Sequence, residues 1–117
     1  MAKPRDIRER TFEFAVDVIR MSRLLPRTID AQILGKQVLR SATSIGAKLE
    51  EAQAGYTNPD FTHKNGIALK EARETHYWLR LILAAGLTKP DKVEPLVTEA
   101  DEITRILGAI VSKSRRA

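Results

Sequence analysis

Apolar residues recur along this chain at spacings of three and four residues in four separate segments, which is the pattern of amphipathic α-helices. The first segment predicts a helix from about Arg5 to Leu24. Its inward stripe contains Ile7, Thr11, Phe14, Val18, Met21 and Leu25 and is widened by Phe12, Ala15, Val16 and Ile19. Pro26 ends this helix, because proline has no amide donor and disfavours helical backbone in the residue before it.

The second segment is predicted to begin with Thr28 as its N-cap and to continue to about Ala54. Gly46 lies in a centre rich in small residues and costs a helix interior about 1 kcal/mol relative to alanine, so we expect close packing of a neighbouring helix to compensate. The inward positions are Leu34, Val38, Ser41, Ile45, Leu49 and Ala52.

The third segment follows a turn at Gly55 and Tyr56. Asn58 and Pro59 predict its start, with asparagine as the N-cap and proline as the first helical residue. The helix is expected to reach about Ala85 and to stop at Gly86. Its predicted core positions are Phe61, Ala68, Ala72, Leu79 and either Ile82 or Leu83.

The fourth helix starts between Asp91 and Pro95, and two starts stay open. Asp91 with Glu94 resembles a capping box, whereas Pro95 suits a first helical turn after Glu94. The helix ends in a basic tail, Lys113–Arg116, which suits the negative end of the helix dipole. Its inward stripe contains Leu96, Ala100, Ile103, Leu107 and Ile110.

The order of these segments predicts the fold class. No segment alternates polar and apolar residues as a strand does. Since the three connections are short, consecutive helices should pack antiparallel. The sequence therefore predicts an all-α protein, an antiparallel up-down-up-down four-helix bundle, with residues 1–117 as a single domain.

Helix three carries more apolar surface than one bundle core requires. Between Tyr77 and Ala85 only Arg80 is not apolar, whereas a helix bordering a single core needs an apolar arc little wider than about 100°. One interpretation is a thick core with a few exposed apolar residues, which is normal in monomers. The interpretation we favour is a second buried face against identical copies of the chain, because a contiguous exposed patch is a liability.

The charge distribution indicates a candidate surface for nucleic acid. The formal net charge is +5, which attracts phosphate over roughly 10 Å at 0.1 M salt. Between residues 18 and 48 only Asp30 is acidic. In an up-down bundle the first and third turns share one end, which places Lys89 beside the basic residues of the first turn, Arg20, Arg23 and Arg27. The pattern fits an ordinary solvated face or a surface for RNA or DNA phosphates. The candidate residues are Arg20, Arg23, Arg27, Lys36, Arg40 and Lys48.

No residue pattern in the chain matches a catalytic or metal site. The chain has no cysteine, which excludes disulfides and thiolate chemistry. His63 and His76 are separated by thirteen positions, about 20 Å on one helix, and cannot share a metal. Ser41 and Ser44 have no candidate base nearby in the sequence. We therefore predict no enzyme activity, no catalytic residue, no metal and no cofactor.

The N-terminal charges are followed by no apolar run, and no segment nears the roughly 18 uninterrupted apolar residues of a membrane span. We therefore expect a cytoplasmic protein without a membrane partner.

Two strings closely resemble a bacterial four-helix-bundle family, the proteins encoded within intervening sequences of large-subunit ribosomal RNA genes. They are RSATSIGA at 40–47 and ALKEARETHYWL at 68–79, and the resemblance extends over nearly the whole chain. It implies a bundle assembled as a ring, typically a pentamer. It also implies kinship with the accessory protein of diversity-generating retroelements, a basic barrel that works with a reverse transcriptase and nucleic acid. Members have no assigned catalytic activity, so no catalytic residue carries over.

The resemblance also bears on the candidate interface. Five residues match motif positions of the family, where the resemblance implies contacts between helices or between subunits. They are Arg40, Lys70, Glu71, Glu74 and Trp78. Together with the apolar part of helix three, these positions give the candidate oligomer interface: Lys70, Glu71, Glu74, Tyr77, Trp78 and Leu81.

Two functional hypotheses follow. The first is a non-catalytic homopentameric helical module that binds RNA or DNA weakly and without sequence specificity, through phosphate contacts. The second is a protein-protein interaction scaffold whose basic face is incidental.

Overall fold

The computed structural model describes residues 6–55 and 57–116, and these residues form four α-helices without a strand. They are α1 (Ile7–Ser22), α2 (Ile29–Gln53), α3 (Asn58–Ala84) and α4 (Pro90–Arg116). The fold is the predicted all-α four-helix bundle. The predicted start of helix one at Arg5 and the Tyr56 half of the second turn lie outside the described residues.

Each helix packs on the helices next to it in the chain, and α1 also contacts α4, which closes the bundle. Within the described residues, the diagonal pairs α1–α3 and α2–α4 do not approach each other. Arg10 joins the first helix to the last: it donates from Nε and Nη2 to the carboxylate of Glu99, at 2.6 and 2.7 Å, and its Nη2 atom also lies 3.3 Å from Oε2 of Glu102. This bond to Glu99 raises the pKa of Arg10 and keeps it charged.

The helix starts differ from the predicted ones at two places. Thr57, not Asn58, is the N-cap of α3, because its side chain accepts a hydrogen bond from the Asp60 amide at 3.2 Å. Helix α4 begins at Pro90, ahead of the predicted window, and Pro95 lies inside it. Proline suits the first helical position, where the missing donor has no partner to lose.

The end of α3 is a complete Schellman motif. Gly86 adopts a left-handed φ of 65°. Its amide donates to the Leu83 carbonyl at 3.1 Å, and the Leu87 amide donates to the Ile82 carbonyl at 3.2 Å. The predicted stop at this glycine is confirmed.

The core consists largely of the predicted stripes. Phe12, predicted to widen the stripe of α1, is 69% exposed. Of the two alternatives on α3, Ile82 is the buried one, and on α4 Val111 is buried in place of the predicted Ile110. The largest fully buried apolar side chains are Phe14, Ile45, Leu79, Ile82, Ile103 and Leu107.

The cost of Gly46 to the helix is not compensated by close packing of a neighbouring helix, contrary to the prediction. A Cβ atom placed on it would lie 3.5 Å from Oγ1 of Thr11, its nearest neighbour, which is ordinary van der Waals distance. The helix therefore has room for a methyl group at this position.

We predict that Gly46→Ala raises the free energy of unfolding by about 0.5–1 kcal/mol, because alanine restricts the unfolded chain and fits the folded one. Gly86→Ala is the matched control and should lower it by about 1 kcal/mol, since its backbone has a positive φ. Urea denaturation of both variants measures the two changes. A destabilised Gly46→Ala would show that α1 packs on α2 more tightly than the described distances allow.

Candidate oligomer interface and basic surface

Arg40 joins α2 to α3 within one chain. Its Nη1 atom lies 3.1 Å from Oε2 of Glu71, and its Nη2 atom lies 3.4 Å from Oε1 of Glu74. Gln37, one turn earlier on α2, accepts from Nε of the same guanidinium at 3.3 Å. These motif residues therefore make contacts between helices, and their predicted role between subunits stays a prediction.

A buried hydroxyl pair lies beneath this ion pair. The Oγ1 atom of Thr75 is 2.7 Å from the Glu71 carbonyl and 2.8 Å from Oγ of Ser41. The Glu71 carbonyl can only accept, so it accepts from Thr75, while the Ser41 hydroxyl shares a hydrogen bond with Thr75 and lies 3.4 Å from the Val38 carbonyl, which accepts from it. Both side chains are fully buried, so the hydrogen bonds satisfy polar groups where water does not reach.

The two carboxyl groups at Arg40 titrate differently. Burial raises the pKa of Glu71, and the nearby carboxyl of Glu74 raises it further, against the opposing effects of Ser44 and Arg40. The hydrogen bond from Glu71 lowers the pKa of Glu74, and the positive charges of Arg40 and Lys70 act in the same direction. On acidification Glu71 is therefore protonated before Glu74, and its proton is shared between them.

The apolar candidates on α3 are covered to different degrees. Tyr77 is 51% exposed, while Trp78 and Leu81 are half-buried. Trp78 packs against the core, and its ring meets that of Tyr77 edge to face, with centroids 5.3 Å apart. The indole N–H of Trp78 is buried and has no hydrogen-bond partner among the described residues. Of the three, Tyr77 offers the most surface to a partner.

A second apolar surface lies on α1 and α2, and none of its residues was among the predicted interface residues. A groove of about 460 Å³ runs between the outer faces of these helices, and we call it the α1/α2 groove. Its apolar lining is Phe12, Ala15, Val16, Ile19, Gly46 and Ala47. The signal was present, because Phe12, Val16 and Ile19 form a second stripe beside the inward one.

The six candidate phosphate-binding residues fall into two groups. Arg40 and Lys48 are already paired with carboxylates, Lys48 with Glu51 at 3.1 Å. The other four have no carboxylate of the described residues within ion-pair distance. We call these four the basic end: Arg20, Arg23, Arg27 and Lys36.

The basic end lies where α1 turns into α2 and α3 turns into α4. Arg27 and Lys36 line one depression on this end. Arg20 lines a cleft with Lys92 of α4, which two carboxylates, Asp17 and Asp91, also line. Lys89 lies in the α3–α4 turn at the same end, as predicted from the up-down order. The unpaired cations therefore point to solvent at one end of the bundle.

The described residues contain no group of three or more histidine, cysteine, aspartate or glutamate side chains that could hold a metal ion. His63 is exposed and His76 is half-buried. None of the described helices combines the length and the hydropathy needed to cross a bilayer.

Comparison with known proteins identifies the family. A family model described as 23S rRNA-intervening sequence protein matches residues 3–109. The chain belongs to this family. A crystal structure of a protein with unknown function, assigned to the S23 ribosomal protein family from Bacteroides thetaiotaomicron, is 35% identical and has a TM-score of 0.83. The match covers 91% of this chain and 98% of that one. Among curated proteins no significant match is found.

We predict that Arg40→Met lowers the free energy of unfolding by about 2 kcal/mol at pH 7, less than for a fully buried pair because Arg40 is half-exposed. The variant leaves the Glu71 carboxylate buried without its cation. A protonated Glu71 needs no cation, and its raised pKa lies above the ordinary 4.5. The loss should therefore be small below pH 4.5 and grow as the pH rises through the pKa of Glu71.

Denaturant titrations at several pH values measure this loss. Lys48→Met is the control: it removes a cation from an exposed pair with Glu51, and we expect no measurable change. An Arg40→Met loss that stays constant with pH would contradict the assigned role of Glu71.

Proposed function

We propose that this protein is a non-catalytic helical module that assembles as a homopentameric ring and holds nucleic acid weakly, without base specificity, through phosphate contacts at the basic end. The proposal rests on the observation that some of the basic residues are paired with carboxylates and the others are not. Arg40 and Lys48 are neutralised inside the chain, whereas the four residues of the basic end have no partner among the described residues.

Phosphate oxygens are suitable ligands for these groups. A guanidinium has several donors in a planar fork that fits a phosphate, and an ammonium acts as a point charge. Such contacts position a nucleic-acid strand without reading its bases. Binding of this kind releases counterions and therefore weakens steeply as salt rises.

Assembly would strengthen this weak binding. A ring presents one basic end per copy, so a single strand engages several sites at once and its affinity rises without new contacts. The exposed apolar side chains on α1, α2 and α3 support self-association. The resemblance to ring-forming proteins, and to the accessory protein of diversity-generating retroelements, supports the same class. Ribosomal RNA appears in the name of the family, so RNA is the first probe to test.

The second candidate function is a protein-interaction scaffold without nucleic-acid binding. The α1/α2 groove favours it, because an apolar depression between two helices suits the side chains of a protein partner better than phosphate. Recovery of a specific protein partner that resists nuclease treatment, together with no RNA binding at low salt, would favour this function over the first.

We predict that the triple variant Arg20→Gln, Arg23→Gln, Arg27→Gln loses most of its affinity for single-stranded RNA at low salt. The slope of log affinity against log salt should fall by about 2, since each phosphate contact on a single strand contributes about 0.7. Fluorescence anisotropy with a labelled oligouridine across a salt series measures both quantities.

The matched control removes the same charge from the opposite end of the bundle, with Lys113→Gln, Arg115→Gln and Arg116→Gln on the last turn of α4. Equal losses in the two triple variants would indicate attraction to net charge alone. Absence of RNA and DNA binding by the unchanged protein at low salt would end the proposal.

A further inference from the structure

We infer that copies of the chain join head to tail, with the α1/α2 groove of one copy receiving the outer face of α3 of the next. The inference rests on the self-association in the proposed function and adds the two surfaces that meet. It depends on two apolar surfaces of opposite charge on different helices of the same chain.

The α1/α2 groove has an acidic rim. Phe12, a 69% exposed apolar residue of its lining, also borders a depression formed with Glu9, Glu13 and Glu50. Asp6 and Arg8 in the same depression neutralise each other, with their charged atoms 3.5 Å apart. Glu9 and Glu50 have no ion-pair partner among the described residues, so the rim is negative.

The outer face of α3 has the opposite charge. Lys70, Arg73, Tyr77, Arg80 and Ala84 are exposed and follow one another at alternating spacings of three and four residues, which places them on one side of the helix. Tyr77, Leu81 and Ala84 form its apolar centre. No carboxylate of the described residues lies within ion-pair distance of its three cations, Lys70, Arg73 and Arg80. The face is therefore apolar with a positive rim.

The two surfaces overlap in level along the bundle only at the Lys70 end of the α3 face. Gly46 on α2 faces Thr11 on α1, next to Phe12. On either side of Gly46, α2 is joined to α3 by Glu51 with Lys64 and by Arg40 with Glu71. Phe12 therefore lies level with residues 64–71 of α3, a range that includes Lys70 and ends six residues before Tyr77.

Charge selects the mode of association. Helices α1 and α3 are diagonal neighbours, so a chain cannot cover its own groove with its own α3. Two grooves facing each other would bring Glu9 and Glu50 against their copies, and two α3 faces would do the same with Lys70 and Arg73. Packing the α1/α2 groove of one copy against the α3 face of the next pairs opposite charges around the apolar residues of both surfaces. Such a contact uses a different surface on each copy and closes into a ring when the rotation allows it.

The first test uses one variant per surface. Phe12→Glu blocks the groove and Tyr77→Glu blocks the α3 face, and both residues are at least half-exposed, so the fold should be kept, as circular dichroism would check. Each variant alone should have the mass of one chain, 13.1 kDa, by light scattering. Mixed in equal amounts, they should form a dimer, because each retains the surface that the other lacks. Leu24→Glu is the control: it changes a 52% exposed residue on the α1/α4 side and should leave assembly unchanged.

A second test keeps the inference falsifiable if one interface is too weak to hold the mixed dimer. Reversing the groove rim with Glu9→Lys and Glu50→Lys, or the α3 rim with Lys70→Glu and Arg73→Glu, should each weaken self-association roughly tenfold. Combining both pairs in one chain should restore it. Unaltered assembly of Phe12→Glu or Tyr77→Glu, or a combined charge reversal weaker than either single one, would overturn the inference.

The mass of the unchanged protein, compared with that of the two blocking variants, separates a failure of this inference from a failure of the proposed function. If the unchanged protein has the mass of one chain at micromolar concentration, self-association itself is wrong, and RNA binding at the basic end is judged on its own salt series. If the unchanged protein assembles and the two blocking variants do so as well, only the pairing of these two surfaces is wrong.

Discussion

The close packing of α2 on α3 depends on small side chains at the centre of the contact. Ser41 and Ala42 on α2 and Ala68 and Ala72 on α3 are fully buried, so the two backbones approach without a large side chain between them. This proximity brings the hydroxyl of Thr75 to Ser41 and the guanidinium of Arg40 to Glu71. Larger residues at these positions would separate the helices and leave a buried carboxylate and two buried hydroxyls without their partners. The polar network is therefore a consequence of the small-residue contact.

Much of the fold could be predicted because periodicity reports directly on burial. Most of the predicted inward positions and the stop at Gly86 match the structure. The start of α3 was misplaced by one residue, because threonine and asparagine are both good N-caps and only the backbone shows which one is extended. The room beside Gly46 was not predictable, since a sequence shows that a residue is small but not the distance to its neighbour.

The candidate site was less predictable, because surface residues obey weaker rules than core residues. The sequence grouped six cations together, but the partners that neutralise Arg40 and Lys48 lie elsewhere in the chain or depend on the rotamer. Phe12 was assigned to the core stripe because a broad apolar arc does not show where the core ends. The structure moves Phe12 to the outside and makes α1 a contributor to the surface that faces other molecules.

Trp78 has a practical consequence for experiments on this protein. It is the single tryptophan of the chain, half-buried at the edge of α3 with Tyr77 against its ring. Its indole emission therefore comes from one place, without overlap from other tryptophans, and tyrosine excitation can transfer to it over a short distance. A blue or red shift would report a change in polarity beside Tyr77, so the intrinsic fluorescence serves as a label-free reporter of this part of the surface.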